Sequence, residues 1–170
     1  MSRSVADIRI IPARRAHIRT VARRMRQADR DEVFASSRKS PREALEFSLS
    51  KSAEAWTVTV NGRPEVMFGV GDLNILAGVG APWLLGTEAF EKHSVAMLRG
   101  SKKWTRQLFG RYSILRNFVD ARNTASLRYL RWLGFKLFDP VEMGGHEFHL
   151  FELRSTGAED GSRCDRALSG

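Results

Sequence analysis

Residues 117–135 constrain the fold of this chain more than any other segment. The segment begins as an apolar strand that ends near Asp120, and it passes through a polar hinge at Asn123. It continues as a short amphipathic helix, in which apolar residues recur at spacings of three and four, and stops at Gly134 followed by Phe135. A strand that leads through a hinge into a helix is typical of domains in which helices cover a β-sheet.

The rest of the sequence extends this pattern. Ser40, Pro41 and Glu43 mark a helix start, and Asn61-Gly62 is the strongest hairpin signal. Residues 71–80 are glycine-rich and are predicted to form a connection. Strands are predicted at 7–12, 54–60, 65–70, 82–85, 114–121, 136–138 and 147–153, and helices at 17–26, 43–49, 88–109 and 124–133, with a further turn or two at 29–36. This order predicts an α/β fold with a mixed sheet and helices on both faces.

Length and composition indicate one packed domain. A chain of 170 residues with 42% hydrophobic residues is large enough to bury a single core. Residues 155–170 are rich in glycine, serine and charge and have no apolar period, so we expect a domain of residues 1–154 and a mobile tail.

The charge balance favours partners that carry phosphate. With 28 Lys and Arg against 19 Asp and Glu, the net charge is +9, which suits nucleic acid, anionic lipid or a phosphorylated cofactor. No apolar segment approaches the roughly 20 residues of a membrane span, and we expect none. Cys164 is the single cysteine, and His146 and His149 point to opposite faces of a strand, so we expect neither an intramolecular disulfide nor a metal site.

Four arginines, Arg15, Arg19, Arg23 and Arg26, form a stripe opposite the apolar face of the first predicted helix. A solvated face is the favoured interpretation. The alternative is a site for nucleic acid or for a membrane surface.

The order of elements, together with Asn123 followed by Leu127, Leu130, Gly134 and Phe135, resembles the GNAT superfamily of acyl-CoA-dependent N-acyltransferases. This resemblance covers nearly the whole chain.

Three further segments, residues 67–70, 81–87 and 119–123, look similar to a family of small tailed-phage proteins. Some members of that family are labelled internal virion proteins of T7-like phages. The resemblance implies a phage-encoded protein of the host cytoplasm or the virion, and it adds phage structural proteins to the partners that the stripe of Arg15, Arg19, Arg23 and Arg26 could bind.

In the GNAT pattern two central strands splay apart, and the pantetheine arm of the cofactor adds to one of them like a further strand. The resemblance places the splayed pair at residues 82–86 and 114–121 and implies acetyl-CoA as the cofactor. The residues that it assigns to cofactor binding are Leu84, Leu85, Gly86, Thr87, Asn123, Ser126 and Leu130. Asn123 also fits a simpler role, as the N-cap of the helix that ends at Gly134, and the two roles are compatible.

The family's phosphate-binding loop, an arginine or glutamine followed by spaced glycines, has no counterpart here. The chain offers Gly86-Thr87-Glu88 in its place. Glu88 suits the first turn of a helix but repels a pyrophosphate bound to the same amides.

The resemblance also directs the search for catalytic residues. Many family members protonate the leaving thiolate with a tyrosine seven residues after the asparagine, a position held here by Leu130. Tyr129 is the candidate acid, although one helical step turns its side chain by about 100°. Asp120 is the candidate base, and its alternative role is a turn residue that bonds nearby amides.

Two functions follow from these observations. The first is a phage-encoded N-acyltransferase that moves an acetyl group from acetyl-CoA to an unidentified amine. The alternative is a non-catalytic phage protein with the same fold that acts in virion assembly or binds nucleic acid or a host protein.

Overall fold

The computed structural model describes residues 5–156. This part of the chain forms seven strands and six helices: β1 (Ile8–Pro12), α1 (Arg15–Arg23), α2 (Gln27–Ser37), α3 (Pro41–Lys51), β2 (Ser52–Val60), β3 (Arg63–Asn74), β4 (Val79–Gly86), α4 (Ala89–Lys92), α5 (Ser94–Leu108), β5 (Ile114–Asp120), α6 (Thr124–Leu133), β6 (Lys136–Met143) and β7 (His146–Arg154). The predicted tail, residues 155–170, lies outside the described residues except for its first two positions. The predicted domain boundary therefore stays a prediction.

All seven strands join one mixed sheet in the order β1-β2-β3-β4-β5-β7-β6. Neighbouring strands are antiparallel except β4 and β5, which are parallel. These two strands pair only at Val79 with Ile114 and at Gly80 with Leu115. Beyond those pairs they diverge, and the predicted sheet with a splayed central pair is confirmed.

Helices cover both faces of the sheet because successive strand residues point to opposite sides. Met67 of β3 packs with Val21 of α1 and Leu45 of α3 on one face. Val70 of the same strand packs with Leu108 of α5 and Leu127 of α6 on the other. The splayed gap is therefore enclosed between two helical layers.

The strongest local signals form the structures that they predict. Ser40 Oγ accepts from the Glu43 amide while the Glu43 carboxylate accepts from the Ser40 amide, so the helix start is confirmed as a capping box. At the predicted hairpin, Asn61 and Gly62 both have positive φ, at 50° and 79°. Positive φ at both central residues is what a two-residue hairpin turn of type I′ requires.

The predicted connection over residues 71–80 is wrong for most of its length. Strand β3 continues to Asn74 and β4 begins at Val79. A Cβ atom on Gly80 would lie 2.9 Å from the ring of Tyr112, and one on Gly71 would lie 3.1 Å from a main-chain oxygen. These glycines permit close packing inside strands, and their density in the sequence does not mark a loop.

The long helix predicted over residues 88–109 is divided into α4 and α5. His93 has backbone angles of −112° and 24°, outside the helical region, so α4 ends there. The Met97 amide then donates to the His93 carbonyl and begins α5. The apolar period continues across the break, and periodicity therefore does not reveal it.

One member of the predicted arginine stripe is misplaced. Arg15, Arg19 and Arg23 are exposed, but Arg26 is only 2% exposed. Helix α1 ends at Arg23, and Arg26 instead precedes α2 and turns its guanidinium inward to pair with Asp29. The prediction that Arg26 belongs to the stripe is wrong because a helix boundary interrupts the period.

Candidate functional site

The gap between the splayed strands opens into a cavity of about 380 Å³. Both strands line it, together with the end of α2, one side of α3, the facing sides of α5 and α6, and residues of β3, β6 and β7. This volume lies within the range of small-molecule sites, about 300–1,000 Å³. Of the predicted site residues, five line the cavity, Leu84, Leu85, Ser126, Tyr129 and Leu130, and four are buried without lining it, Gly86, Thr87, Asp120 and Asn123.

Asn117 of β5 spans the gap with its side chain. Its Nδ2 atom donates to the carbonyl oxygen of Pro82 on β4 at 2.9 Å. Its Oδ1 atom accepts from the amide of Phe118 on its own strand at 2.8 Å. The carboxamide thus bonds to one main-chain group on each strand, because the strands lie too far apart here to bond directly to each other.

Leu84 directs its main-chain N–H and C=O groups into the same gap. The main-chain groups of alternate residues point to the same side of a strand. The Pro82 carbonyl faces Asn117, and the Gly86 amide donates to Asp29 on the side away from β3. Leu84 lies between Pro82 and Gly86, so its polar groups face the gap.

Helix α2 holds the wide end of the gap with two carboxylates one turn apart. Asp29 accepts from the amide of Gly86, the last residue of β4, at 2.9 Å. Glu32 accepts from the amide of Asp120, the last residue of β5, at 3.2 Å. Asn123 Nδ2 donates to both carboxylates, at 3.2 Å and 2.9 Å. These contacts fix the ends of the two strands in their separated positions.

Arg26 completes the polar network behind Asp29. Its guanidinium donates to both Asp29 oxygens, at 2.7 Å and 2.9 Å, and to Ser126 Oγ at 2.8 Å. It also pairs with Glu91 at 3.2 Å and lies 4.7 Å from the ring centroid of Phe90. The buried ion pair therefore links α2, α4 and α6.

Glu32 is a carboxyl group with a proton affinity suited to catalysis near neutral pH. Burial raises its pKa to about 7, and the nearby carboxylates of Asp29 and Asp120 act in the same direction. Hydrogen bonds from Asn123 and from the Asp120 amide oppose the shift but do not cancel it. Glu32 lines the cavity, so this group can exchange a proton with a bound molecule.

Asp120, the predicted base, is committed to the turn that follows β5. Its carboxylate accepts from the Arg122 amide at 2.8 Å and from the guanidinium at 2.7 Å. Burial by itself would raise the pKa of Asp120, but the bonds and charge of Arg122 outweigh it and lower the pKa. The carboxylate is 2% exposed, and Glu32 faces the cavity instead.

Tyr129, the predicted acid, lines the cavity beside Leu130. Its hydroxyl bonds to Ser101 Oγ, which donates to the Met97 carbonyl at 2.7 Å, so the tyrosine donates its proton toward the serine. Burial raises the pKa of Tyr129, so the hydroxyl is protonated at neutral pH.

Asn123 caps α6, as the sequence indicates. Its Oδ1 atom accepts from the Ser126 amide at 3.3 Å, and Gly134 ends the helix with a φ of 94°. The capping interaction and the bonds to Asp29 and Glu32 use different atoms of the same side chain. The structural role of Asn123 therefore coexists with its place beside the cavity.

The turn after β4 differs from a phosphate-binding loop in the use of its amides. The Gly86 amide donates to Asp29, and the Thr87 amide donates to the Glu65 carbonyl at 2.9 Å. The Thr87 hydroxyl also bonds to the Glu65 carboxylate. Both amides are therefore already bonded within the protein.

A cationic surface lies on the face that α5 and α6 cover. These two helices contain six exposed cations and no carboxylate: Arg99, Lys102, Lys103, Arg106, Arg128 and Arg131. Such a surface attracts anions by long-range electrostatics.

Sequence reasoning missed Glu32, Asn117 and Ser101. A weak signal exists for Glu32, because Asp29 and Glu32 are spaced to share one helix face. No local pattern marks Asn117 or Ser101. Within residues 5–156, no group of three or more His, Cys, Asp or Glu side chains is arranged to hold a metal ion, and no helix is long and apolar enough to cross a membrane.

Comparison of the sequence with protein-family models and with curated proteins finds no match. Solved structures do match. The aminoglycoside acetyltransferase AAC(6')-Ib, in complex with ribostamycin and coenzyme A, has a TM-score of 0.65 and 12% identity, over 93% of this chain and 98% of that one.

Two further structures show the same likeness. RimL, a ribosomal alpha-N-protein acetyltransferase in complex with coenzyme A, has a TM-score of 0.61 and 10% identity, over 86% of this chain and 93% of that one. A GNAT-family acetyltransferase from Streptococcus pneumoniae has a TM-score of 0.60 and 16% identity, over 87% of this chain and 99% of that one. Identities this low show the fold alone, and this chain has the fold of the GNAT acetyltransferases.

Proposed function

We propose that this chain is a GNAT-type N-acyltransferase that transfers an acetyl group from acetyl-CoA to an amine in the cavity between β4 and β5. The observation that carries the proposal is Glu32, a carboxyl group at the wide end of the gap with a pKa of about 7. A general base works best when its pKa lies near the operating pH.

Two features support acetyl-CoA as the acyl donor. Leu84 offers a main-chain donor and acceptor inside the gap, which suits the amides of a pantetheine arm. The cations of α5 and α6 suit the phosphates at the other end of the molecule. Because the amides of Gly86 and Thr87 are already bonded within the protein, we expect those phosphates to bind to side chains and not to the turn after β4.

Acetyl-CoA supplies an activated thioester, and the residues of the cavity supply the proton transfers. Glu32 would first accept a proton from the bound ammonium group, and the neutral amine nitrogen would then attack the thioester carbonyl carbon. The new C–N bond would form as the C–S bond breaks, and Tyr129 would donate its hydroxyl proton to the leaving sulfur and regain a proton from the new amide nitrogen. Ser101 accepts the Tyr129 proton in the hydrogen bond between them, so the hydroxyl would turn from Ser101 to the sulfur for the transfer.

Titration calorimetry with acetyl-CoA, combined with a thiol-release assay on simple primary amines, tests this proposal. We expect wild-type protein to bind acetyl-CoA and the variant E32Q to keep this binding while its transfer rate falls about 100-fold. The matched control is E46Q, which neutralises a partly exposed carboxylate outside the cavity and leaves the rate unchanged. No heat at millimolar acetyl-CoA would contradict the proposal.

The resemblance of three sequence segments to small tailed-phage proteins supports a phage-encoded protein that acts in the host cytoplasm or stays in the virion. It also favours a second candidate, a non-catalytic phage protein of the same fold that acts in virion assembly or binds nucleic acid or a host protein. The engaged amides of Gly86 and Thr87 favour this alternative, because the turn lacks a ready phosphate site. Comparing the composition and infectivity of particles from a deletion phage tests the assembly role.

A further inference from the structure

Three apolar side chains from separate elements frame one side of the cavity. Phe47 of α3 is 51% exposed, Phe118 of β5 is 40% exposed, and Met143 at the end of β6 is half-buried. Single exposed apolar residues are ordinary on a protein surface, but all three line the same cavity as Glu32. Phe118 alternates with Val119, which packs against α6, so Phe118 faces the side of α2 and α3.

The cavity offers little charge to a bound molecule. Among the described side chains that line it, Glu32 is the one carboxylate and Lys39 the one cation. Lys39 Nζ lies 4.8 Å from the ring centroid of Phe47, at the apolar side of the opening. A molecule with several amino groups would therefore meet a cation at the rim and find one carboxylate to pair with. Each unpaired charge that entered would lose its hydration without compensation.

We propose that the amine acceptor is a primary monoamine on an apolar body about the size of an aromatic side chain. This inference rests on the proposed function, since it assigns the amine nitrogen to Glu32. The apolar body packs against Phe47, Phe118 and Met143, which bury its surface without demanding further polar groups. The single carboxylate matches a single ammonium group.

A pair of exposed phenylalanines provides a matched test. Phe47 lies under Lys39 and lines the cavity, whereas Phe34 is 56% exposed, lies 5.0 Å from the Arg38 guanidinium and does not line it. With 2-phenylethylamine as acceptor, we expect Phe47→Ser to raise KM about tenfold and Phe34→Ser to leave it unchanged. Both variants should keep the wild-type affinity for acetyl-CoA, because neither residue lies near the cationic face.

A second comparison uses charge. We expect wild-type protein to acetylate 2-phenylethylamine with a kcat/KM at least about tenfold above that for kanamycin. We expect Lys39→Glu to reduce this preference for 2-phenylethylamine over kanamycin. A preference for kanamycin would overturn the inference, and so would equal effects of the two phenylalanine variants.

Binding of 2-phenylethylamine, measured by ligand-observed NMR without acetyl-CoA, separates this inference from the proposed function. If acetyl-CoA binds but the amine neither binds nor reacts, the acceptor class is wrong and the acyltransferase proposal stands. If the amine binds in a Phe47-dependent way but acetyl-CoA does not bind, the amine site stands and the acyltransferase proposal is wrong.

Discussion

The side-chain amide nitrogen of Asn117 lies 2.9 Å from the carbonyl oxygen of Pro82, in the gap where β4 and β5 no longer pair. The other end of the same carboxamide accepts from the Phe118 amide. Asn117 therefore occupies the place of a bound amide group, with one partner on each side. An acyl donor that carries amides would compete with this side chain for the same main-chain atoms.

We expect replacement of Asn117 by alanine to weaken folding and to strengthen acetyl-CoA binding. The variant loses two hydrogen bonds, so its free energy of unfolding falls by about 1–2 kcal/mol. The same loss leaves the Pro82 carbonyl and the Phe118 amide free for the ligand, so the dissociation constant falls about three- to tenfold. Urea denaturation and titration calorimetry measure the two effects.

The variant Asn117→Asp serves as a control that removes only the hydrogen bond donated by the Asn117 side chain to the Pro82 carbonyl. Its carboxylate still accepts from the Phe118 amide but has no proton for the Pro82 carbonyl, so we expect a lower stability than in N117A at pH 8. If N117A binds acetyl-CoA more weakly than wild-type protein does, Asn117 contacts the ligand and does not compete with it for the main-chain groups.

The pKa of Glu32 gives the protein a specific dependence of stability on pH. Raising this pKa from its ordinary value of 4.5 to about 7 costs the ionised folded state about 3 kcal/mol. Below pH 4.5 the group is protonated in both states. As the pH rises from 4.5 to 7 the unfolded state ionises first, so the stability falls, and above pH 7 the loss is complete.

We expect the variant E32Q to remove this fall in stability while it lowers the transfer rate about 100-fold. Its melting temperature should match that of wild-type protein near pH 4.5 and exceed it at pH 8, because the glutamine still accepts from Asn123 and carries no charge. In wild-type protein, kcat/KM should rise with pH through about 7 as the base ionises. Thermal unfolding at the two pH values checks the first result, and a wild-type optimum well below pH 6 would argue against Glu32 as the base.

The sequence reveals those parts of the site that depend on neighbours in the chain. Asn123 and Gly134 begin and end one helix, and each is recognisable from the residues beside it. The splayed pair of strands follows from the resemblance to the GNAT pattern, which the order of elements and the Asn123 to Phe135 segment carry. For these features local and global preferences agree.

The residues that the sequence does not reveal have partners far along the chain. Asn117 bonds to a carbonyl 35 residues away, and Glu32 bonds to an amide 88 residues away. The pKa of Glu32 depends on burial and on the carboxylates of Asp29 and Asp120. The spacing of Asp29 is visible in the sequence, but the burial and the approach of Asp120 are not. The helical period puts Arg26 on the exposed stripe for the same reason, since only the folded chain brings Asp29 and Ser126 around it.

Tyr129 provides a test of the proton donor. We expect Tyr129→Phe to lower kcat by about 100-fold and to leave acetyl-CoA affinity nearly unchanged, because the variant loses a proton and not a packing contact. The chain offers one matched control in Tyr112→Phe, which removes a hydroxyl that donates to Asp72 at 2.7 Å outside the cavity. Steady-state kinetics of the two variants should differ; equal rate losses would refute the role of Tyr129.

Asp29 holds the end of β4 and the Arg26 guanidinium at once. We expect Asp29→Asn to lower the free energy of unfolding by about 3–5 kcal/mol, because it leaves the buried Arg26 without its main counter-charge. The pair between Arg42 and Glu46 is exposed, so E46Q should cost about 0.5 kcal/mol or less. Urea denaturation compares the two, and a loss below about 1 kcal/mol in D29N would mean that the network does not hold the gap.

The exposed arginines of α1 allow the solvated-face interpretation to be tested against nucleic-acid binding. Replacing both Arg19 and Arg23 by glutamate lowers the net charge by four, and so does replacing both Arg128 and Arg131 on α6. If α1 is a solvated face, the two double variants should show the same retention on a DNA column and the same dependence on salt. If α1 holds a nucleic-acid site, the Arg19 and Arg23 variant alone should lose its retention. In wild-type protein, the logarithm of the DNA-binding constant should then fall with the logarithm of the salt concentration by about 0.9 for each phosphate contacted.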